Sequence, residues 1–229
     1  KSGEYKHGGY HKFVVSDTKR REIAVAGIRD RIVHHLLYEY LVLIYDKTFI
    51  FDVWSCRKGK GLTGAILRTQ QFLNSYPKSF TWRADVKKFF DNVDHRILKM
   101  ILRRRITDDK ILSLFDSVID SYSTRARPQS GIPIGNLTSQ IFANIYLNEL
   151  DRFVKQEIKP KRYLRYGDDF ILLDSDCDRL AGFRGKVASF LNKKLNISIN
   201  ERNDIIVKAR HGLRFLGIEI FPRGRRLNK

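Results

Sequence analysis

The sequence predicts an α+β fold, because helical and strand patterns follow one another without the regular alternation of a parallel α/β chain. Residues 80–86 alternate between apolar and polar side chains, which is typical of a half-buried strand. Residues 162–173 are apolar and β-prone on both sides of Gly167-Asp168-Asp169, which predicts a hairpin with a tight acidic turn. Residues 138–157 repeat apolar side chains at helical spacing and predict a long helix.

The other predicted elements rest on the same two periodicities. Strands are expected at 10–15, 22–26, 197–199, 204–207 and 213–221. Helices are expected at 30–45, 62–74, 94–105, 108–122 and 178–195. Asp94 and Asp108 stand at the start of their helices, where a carboxylate accepts hydrogen bonds from the first backbone N–H groups. The glycines and proline of residues 130–136 indicate a loop.

The charge of the chain points to a polyanionic partner. The sequence holds 44 Lys and Arg against 25 Asp and Glu, a net charge of +19. We expect nucleic acid rather than a membrane, because no lysine-rich amphipathic anchor and no apolar run of membrane-spanning length is present. The two cysteines are far apart and form no CxxC pair, so a reducing compartment, the cytoplasm, is expected.

Three carboxylates at predicted strand ends form the strongest candidate site. Asp168 and Asp169 share the hairpin tip, where two like charges are unfavourable unless a cation neutralises them. Asp85 lies near the end of the strand at 80–86, on its polar face. Such a hard oxygen site suits Mg²⁺, and two Mg²⁺ ions can assist phosphoryl transfer. An Asp pair alone is not diagnostic, since Asp108-Asp109 stands at a predicted helix start, where acidic residues favour the helix dipole.

Four ordered motifs resemble those of reverse transcriptases. Tyr166-Gly167-Asp168-Asp169 resembles the YxDD box of that family. DVKKFFDNVDH at 85–95 is similar to its first palm motif, and GIPIG with Ser139-Gln140 is similar to its second. Phe215-Leu216-Gly217 resembles the primer grip, and residues 21–33 resemble the fingers motifs.

The resemblance implies a right-hand polymerase that copies RNA into DNA. Its fingers would be residues 1–60 and 93–138, and its palm, with an antiparallel sheet, would be residues 61–92 and 139–229. Only 12 residues follow Gly217, so the thumb is expected to be absent or truncated. The implied partners are an RNA template, a DNA or RNA primer and dNTPs.

The resemblance also assigns roles to individual residues. Asp85, Asp168 and Asp169 would hold two Mg²⁺ ions, with Mn²⁺ as an alternative, and the Val86 carbonyl would be a further ligand. Phe90 would be the steric gate, a ring that collides with a ribose 2′-hydroxyl. The other implied nucleotide-binding residues are Lys19, Arg21, Ile134, Gly135, Ser139 and Gln140, and the implied primer grip is Phe215, Leu216 and Gly217.

The second palm motif favours one branch of the family. Ile134 stands where most reverse transcriptases have Gln, and Gln140 stands where most have Pro. This combination most resembles the enzymes of diversity-generating retroelements, which are prokaryotic or phage-encoded, copy with errors and use an accessory protein. Group II intron, retron and CRISPR-associated enzymes are the alternatives within the family.

Two other classes remain open at the level of the sequence. RNA-dependent RNA polymerases also carry a Gly-Asp-Asp turn, but they usually have an Asp where Phe90 stands. A non-catalytic RNA-binding module is disfavoured because idle buried carboxylates are unfavourable. One role has no assigned residue: Arg202-Asn203 stands where the family often has a general-acid Lys, and Lys208 is the nearest substitute.

Overall fold

The computed structural model describes residues 5–16, 20–124 and 127–227. The strands are β1 (Tyr10–Ser16), β2 (Arg20–Ala26), β3 (Phe80–Ala84), β4 (Arg162–Tyr166), β5 (Asp169–Asp174), β6 (Ile205–Lys208), β7 (Leu213–Phe215), β8 (Ile218–Phe221) and β9 (Gly224–Leu227). The α-helices are α1 (Ile28–Tyr45), α2 (Leu62–Ser75), α3 (Phe89–Asn92), α4 (His95–Arg103), α5 (Asp109–Asp120), α6 (Leu137–Phe153) and α7 (Cys177–Leu195). The chain forms two compact units, one of Lys1–Thr48 with Lys88–Tyr146 and one of Phe49–Lys87 with Leu147–Lys229.

The first unit combines an antiparallel β1–β2 hairpin with helices. The hairpin register runs from Tyr10 opposite Ala26 to Ser16 opposite Arg20. Asp94 and Asp108 cap α4 and α5, since each carboxylate accepts from two N–H groups of the first turn, as predicted. The amide of Asn136 bonds both the N–H of Ala26 and the carbonyl of Ala24, so it fixes the loop before α6 to β2.

The second unit is built on a four-stranded antiparallel sheet in the order β4-β5-β3-β6. The sheet buries Trp82 completely, and the indole N–H of Trp82 donates to Asp204 over 2.7 Å. A separate sheet, β7-β8-β9, packs through Phe215 and Ile220 into the same apolar core as Leu164 of β4. This core holds the β7–β8 hairpin against the main sheet.

The α+β class is confirmed, but several predicted elements differ from the observed ones. The strand predicted at 197–199 is only a single bridge between Ile199 and Val86. The helix predicted to 157 leaves α geometry at Phe153 and continues as a π-helical turn over Val154–Ile158. Residues 213–221 are two strands, because Leu216 and Gly217 both take positive φ and form a two-residue turn.

Candidate active site

Strand register places the predicted metal carboxylates at one end of neighbouring strands in the second unit. In the β3–β5 pair, Ala84 is opposite Phe170. Asp85 follows β3, Asp169 begins β5, and Asp168 lies in the turn just before it. One further step of the same register sets the backbone of Asp85 opposite that of Asp169. Asp168 and Asp169 are partly exposed, whereas Asp85 is 8% exposed.

The Asp85 carboxylate is buried, and among the described residues only one of its two oxygens is hydrogen bonded. Its Oδ2 accepts from Asn203 Nδ2 at 2.8 Å and from Asn200 Nδ2 at 3.4 Å. Its Oδ1 is also buried, and within the described ranges it has no hydrogen-bond partner. A buried anionic oxygen without a partner is costly unless a cation meets it. This oxygen is therefore suited to be one ligand of a divalent cation.

Asp169 is engaged by a cation of the chain itself. Arg83, two residues before Asp85 on β3, places Nη2 3.5 Å from Asp169 Oδ1. The same guanidinium donates from Nη1 to the carbonyl of Arg214 on β7, over 2.7 Å. Across the residues that the structure describes, no group of three or more His, Cys, Asp or Glu side chains is arranged to hold a metal ion. The predicted three-carboxylate site thus stays a prediction, with Asp169 held by Arg83.

The Val86 carbonyl points away from residues 198–200, which pair with the backbone around Val86. Around the Val86–Ile199 bridge, the hydrogen bonds run from the N–H of Asn200 to the carbonyl of Asp85 and from the N–H of Lys87 to the carbonyl of Ser198. In an antiparallel pair with this pattern, the middle residue directs its own N–H and carbonyl to the opposite side. The opposite side is where β5 lies, so the carbonyl orientation is compatible with the predicted ligand role.

A buried ion pair fixes the acidic turn. Arg165 donates to both oxygens of Asp151, at 2.8 and 2.6 Å, and both side chains are fully buried. Burial works against the charge of Arg165, but Asp151 outweighs it and keeps the pKa of Arg165 above its usual range. Arg165 also donates to the carbonyl of Gly167 at 2.9 Å, and the N–H of Gly167 donates to the Ser55 hydroxyl at 2.8 Å. Both backbone groups of the turn glycine are thereby held.

Sequence reasoning missed this ion pair and the two asparagines beside Asp85. The available signal was an Arg inside the apolar strand at 162–166 and an Asp on the apolar side of α6. Charged residues are almost never fully buried unless paired, so the two together indicate a partner relationship. Asn200 and Asn203 carry no such signal, because turn asparagines usually serve the local backbone.

The strand register also tests whether Lys208 could serve as the general acid. Lys208 pairs with Phe80, at the end of β3 away from Asp85. Asp85 lies five residues beyond Phe80, a distance of roughly 16 Å along the strand direction. Asn203 donates its amide to Asp85, and Arg202 is exposed. The strand register therefore argues against Lys208 as the general acid.

In the first unit, Arg21 and Ile134 line a basic cleft of about 540 Å³. The cationic side chains of this cleft are Lys12, Arg20, Arg21, Lys88 and Arg127. The acidic ones are Glu22, which pairs with Lys12 at 2.9 Å, and Asp91. Arg21 is exposed, Ile134 is partly exposed, and Lys19 lies outside the described residues. Cations therefore outnumber acids in this cleft, which suits a phosphate-bearing ligand.

The second palm motif connects this cleft to the start of α6. The carbonyl of Ile134 accepts from the N–H of Ala24 at 2.9 Å. Gly135 has φ +115, and a Cβ there would come within 2.9 Å of Ile23, so the loop requires glycine. Ser139 is 2% exposed, and its buried hydroxyl has no hydrogen-bond partner within the described segments, whereas Gln140 is exposed.

The start of α6 is held by a buried histidine. Thr138 Oγ1 lies 2.9 Å from His34 Nδ1, and His34 Nε2 lies 2.9 Å from His7 Nε2. Burial, with a smaller effect of His7, lowers the pKa of His34 to about 4. His34 is therefore neutral at neutral pH and can hydrogen bond on both ring nitrogens without a buried charge.

The predicted gate and primer grip differ in exposure. Phe89 is buried against Tyr146, whereas Phe90 is partly exposed and packs edge-on against Phe89, with 5.4 Å between ring centroids. Phe215 is fully buried, so it is a core residue of the β7–β8 hairpin. Leu216 and Gly217 form the hairpin tip.

An acidic β-turn thus lies beside a buried carboxylate on an antiparallel sheet, and the family of the chain follows from its sequence. Residues 6–220 match the family described as "Reverse transcriptase (RNA-dependent DNA polymerase)". The chain belongs to the reverse transcriptase family.

Several curated proteins are similar to the chain. Protein YkfC of Escherichia coli (strain K12) is 24% identical, over 88% of this chain and 63% of that protein. The group II intron-encoded protein LtrA of Lactococcus lactis subsp. cremoris is 23% identical, over 88% and 44%. The putative COX1/OXI3 intron 2 protein of Saccharomyces cerevisiae is 21% identical, over 87% and 30%. The chain spans less than two thirds of the length of each.

Solved telomerase structures share the fold. A Candida albicans telomerase in complex with a TWJ fragment of telomeric RNA superposes with a TM-score of 0.73 and 13% identity, over 99% of this chain and 47% of that chain. An apo telomerase of Candida tropicalis gives a TM-score of 0.68 and 15% identity, over 96% and 55%. The fold is that of a right-hand polymerase. Among the described helices, none combines the length and apolar character needed to cross a bilayer.

Proposed function

We propose that the chain is the catalytic part of an RNA-directed DNA polymerase. The observation that carries the proposal is the buried Asp85 Oδ1, which has no hydrogen-bond partner among the described residues and lies at the end of β3 beside the acidic turn. Members of the family generally use Mg²⁺, and the residues that would hold it are Asp85, Asp168, Asp169 and the Val86 carbonyl. Bound there, Mg²⁺ would stabilise the charge that develops on the attacking and leaving oxygens.

The proposed reaction is in-line nucleotidyl transfer. The primer 3′-hydroxyl loses its proton and its oxygen forms a bond to the α-phosphorus of a dNTP, while the bond to the pyrophosphate oxygen breaks. The buried ion pair keeps the acidic turn in place, so the carboxylates need little reorganisation when substrate arrives. Phe215, Leu216 and Gly217 would position the primer end, and Arg83 would tie that hairpin to the carboxylate strand.

The residues that we propose to bind the incoming nucleotide lie in the first unit. The cationic cleft with Arg21 would receive the triphosphate, and Lys19 would add a second cation. Ile134, Gly135, Ser139 and Gln140 would line the nucleotide and template pocket. The proposed domain division stays with fingers at 1–60 and 93–138 and palm at 61–92 and 139–229. An RNA template, a primer and dNTPs are the proposed partners, with an accessory protein in the retroelement setting.

Sugar selection tests the reverse transcriptase assignment against an RNA-dependent RNA polymerase. On an RNA template, the wild-type chain should incorporate dNTPs in preference to NTPs, because the Phe90 ring would meet a 2′-hydroxyl. Phe90→Ala should raise NTP use relative to dNTP use by roughly 10- to 100-fold, as expected when a steric contact of about 1–3 kcal/mol is removed. The measurement is the ratio of kcat/KM values for the two nucleotides. A wild-type preference for NTPs would contradict the assignment.

For the subtype, we propose an error-prone enzyme of a diversity-generating retroelement. The support is the apolar Ile134 on the wall of the basic cleft, where a polar side chain could contact the nucleotide. Ile134→Gln should lower misincorporation by about 2- to 10-fold, the effect of one added hydrogen bond. The check is sequencing of cDNA made by both proteins from one template. An unchanged error spectrum would remove this support and favour the group II intron reading, which the relatives include.

A further inference from the structure

A second basic site lies on the second unit, at the end of β4 opposite to the acidic turn. It is a pocket of about 230 Å³. Its walls include Asp52, Arg68, Phe72, Lys155, Lys161 and Arg162. Arg162 begins β4 and Asp168 lies in the turn just past its end, so the length of this five-residue strand, roughly 13 Å, separates them. The pocket is therefore separate from the proposed catalytic carboxylates.

The positive charge of this pocket is only partly compensated within the chain. Arg68 pairs with Asp52, at 2.9 Å from Nε and 3.2 Å from Nη2. In the parts of the chain that the structure describes, Lys155, Lys161 and Arg162 pair with no carboxylate. Three like charges around one concavity repel one another unless an anion enters.

Local structure holds two of these cations over an aromatic ring. Lys161 Nζ lies 4.7 Å and the Arg162 guanidinium 4.8 Å from the ring centroid of Tyr76. Arg162 also donates to the Tyr76 hydroxyl and to the carbonyl of Lys161. The ring contacts reduce the mobility of both side chains, and so reduce the entropy lost on binding.

The third cation of the pocket, Lys155, lies on a segment that is not α-helical. Lys155 lies on the π-helical turn Val154–Ile158, which is closed by Lys159 in a left-handed conformation. Here the turn ends the α6 helix and exposes Lys155 at the pocket rim.

We infer that this pocket binds a backbone phosphate of RNA outside the copied stretch. A phosphodiester brings one compact negative charge, which Lys meets as a point charge and Arg through paired donors. RNA is favoured over an acidic protein because the chain carries +19 and the primer end of the template–primer pair is proposed to lie at the acidic turn of the same unit. This inference rests on the proposed function. An RNA bound at the acidic turn reaches the pocket once it extends by roughly 13 Å, the length of β4.

The test is the salt dependence of RNA binding by the Lys155→Gln/Lys161→Gln variant. The matched control is Lys193→Gln/Lys194→Gln, which removes the same charge from two exposed lysines of α7 outside this pocket. The probe is a fluorescein-labelled single-stranded RNA of mixed sequence, long enough to pass from the acidic turn to the pocket. Because the variant lacks the two lysines that would neutralise the bound phosphate, the slope of log K against log salt should fall by about 0.7 relative to wild type.

The control variant should keep the wild-type slope on the same RNA. Equal slopes for the two double variants would overturn the inference, since the pocket would then be an ordinary basic surface. Binding of an acidic peptide that depends on Lys155 and Lys161, with an unchanged RNA slope, would also overturn it. Primer extension by the wild type reports the proposed polymerase function separately, so a failure there leaves the slope comparison interpretable.

Discussion

Asp168→Asn is expected to abolish DNA synthesis while leaving RNA binding nearly intact. The substitution keeps the size of the side chain but removes one of the charges that would hold the cation. We expect the rate of primer extension to fall by about 10³-fold or more, a barrier increase of ~4 kcal/mol. The measurement pairs a primer-extension time course with RNA binding by fluorescence anisotropy under the same conditions.

Asp109→Asn is the matched control. Asp109 belongs to the chain's other Asp-Asp pair, is exposed in the first turn of α5, and loses the same charge on substitution. Synthesis by this variant should stay close to that of the wild type. If Asp168→Asn retained synthesis, the metal assignment would be wrong even though the chain belongs to the family.

Arg165→Met is expected to produce the largest loss of stability. It leaves Asp151 as a buried, uncompensated charge, which typically costs about 3–5 kcal/mol. It also removes the donor to the Gly167 carbonyl, so the acidic turn loses one of its two anchors. Both tryptophans of the chain, Trp54 and Trp82, lie in the second unit. Urea denaturation followed by tryptophan fluorescence therefore reports this unit directly.

A surface ion pair of the same unit provides the comparison. Arg226 pairs with Glu219 and its side chain is 70% exposed, so Arg226→Met should cost about 1 kcal/mol or less. An Arg165→Met variant that loses no more than Arg226→Met would show that the buried pair does not stabilise the turn. A variant with both Arg165→Met and Asp151→Leu should recover part of the loss, because no buried charge then remains unpaired, although Tyr163 loses its acceptor.

Local chemistry made much of the fold predictable. The caps at Asp94 and Asp108 depend only on a carboxylate and the first helical turn, and both were predicted correctly. The hairpin around Gly167 follows from two apolar runs and a glycine with positive φ. These features need no knowledge of distant residues.

Features that depend on distant contacts could not be predicted in the same way. Asn203 reaches Asp85 across 118 positions of sequence, and Arg83 reaches the Arg214 carbonyl across 131. The predicted strand at 197–199 shrank to one bridge at Ile199, because its pairing with Val86 continues for only one residue on each side. Such outcomes depend on register in the folded sheet, which periodicity does not specify.

The most direct test of the proposed function is single-nucleotide addition by the wild-type protein. The reaction contains an RNA template, an annealed primer and one complementary dNTP, with Mg²⁺ present or removed by a chelator. We expect a primer extended by one deoxynucleotide only when Mg²⁺ is present, and no extension by Asp168→Asn in either condition. Absence of product with Mg²⁺, or equal product after the metal is removed, would contradict the proposed function.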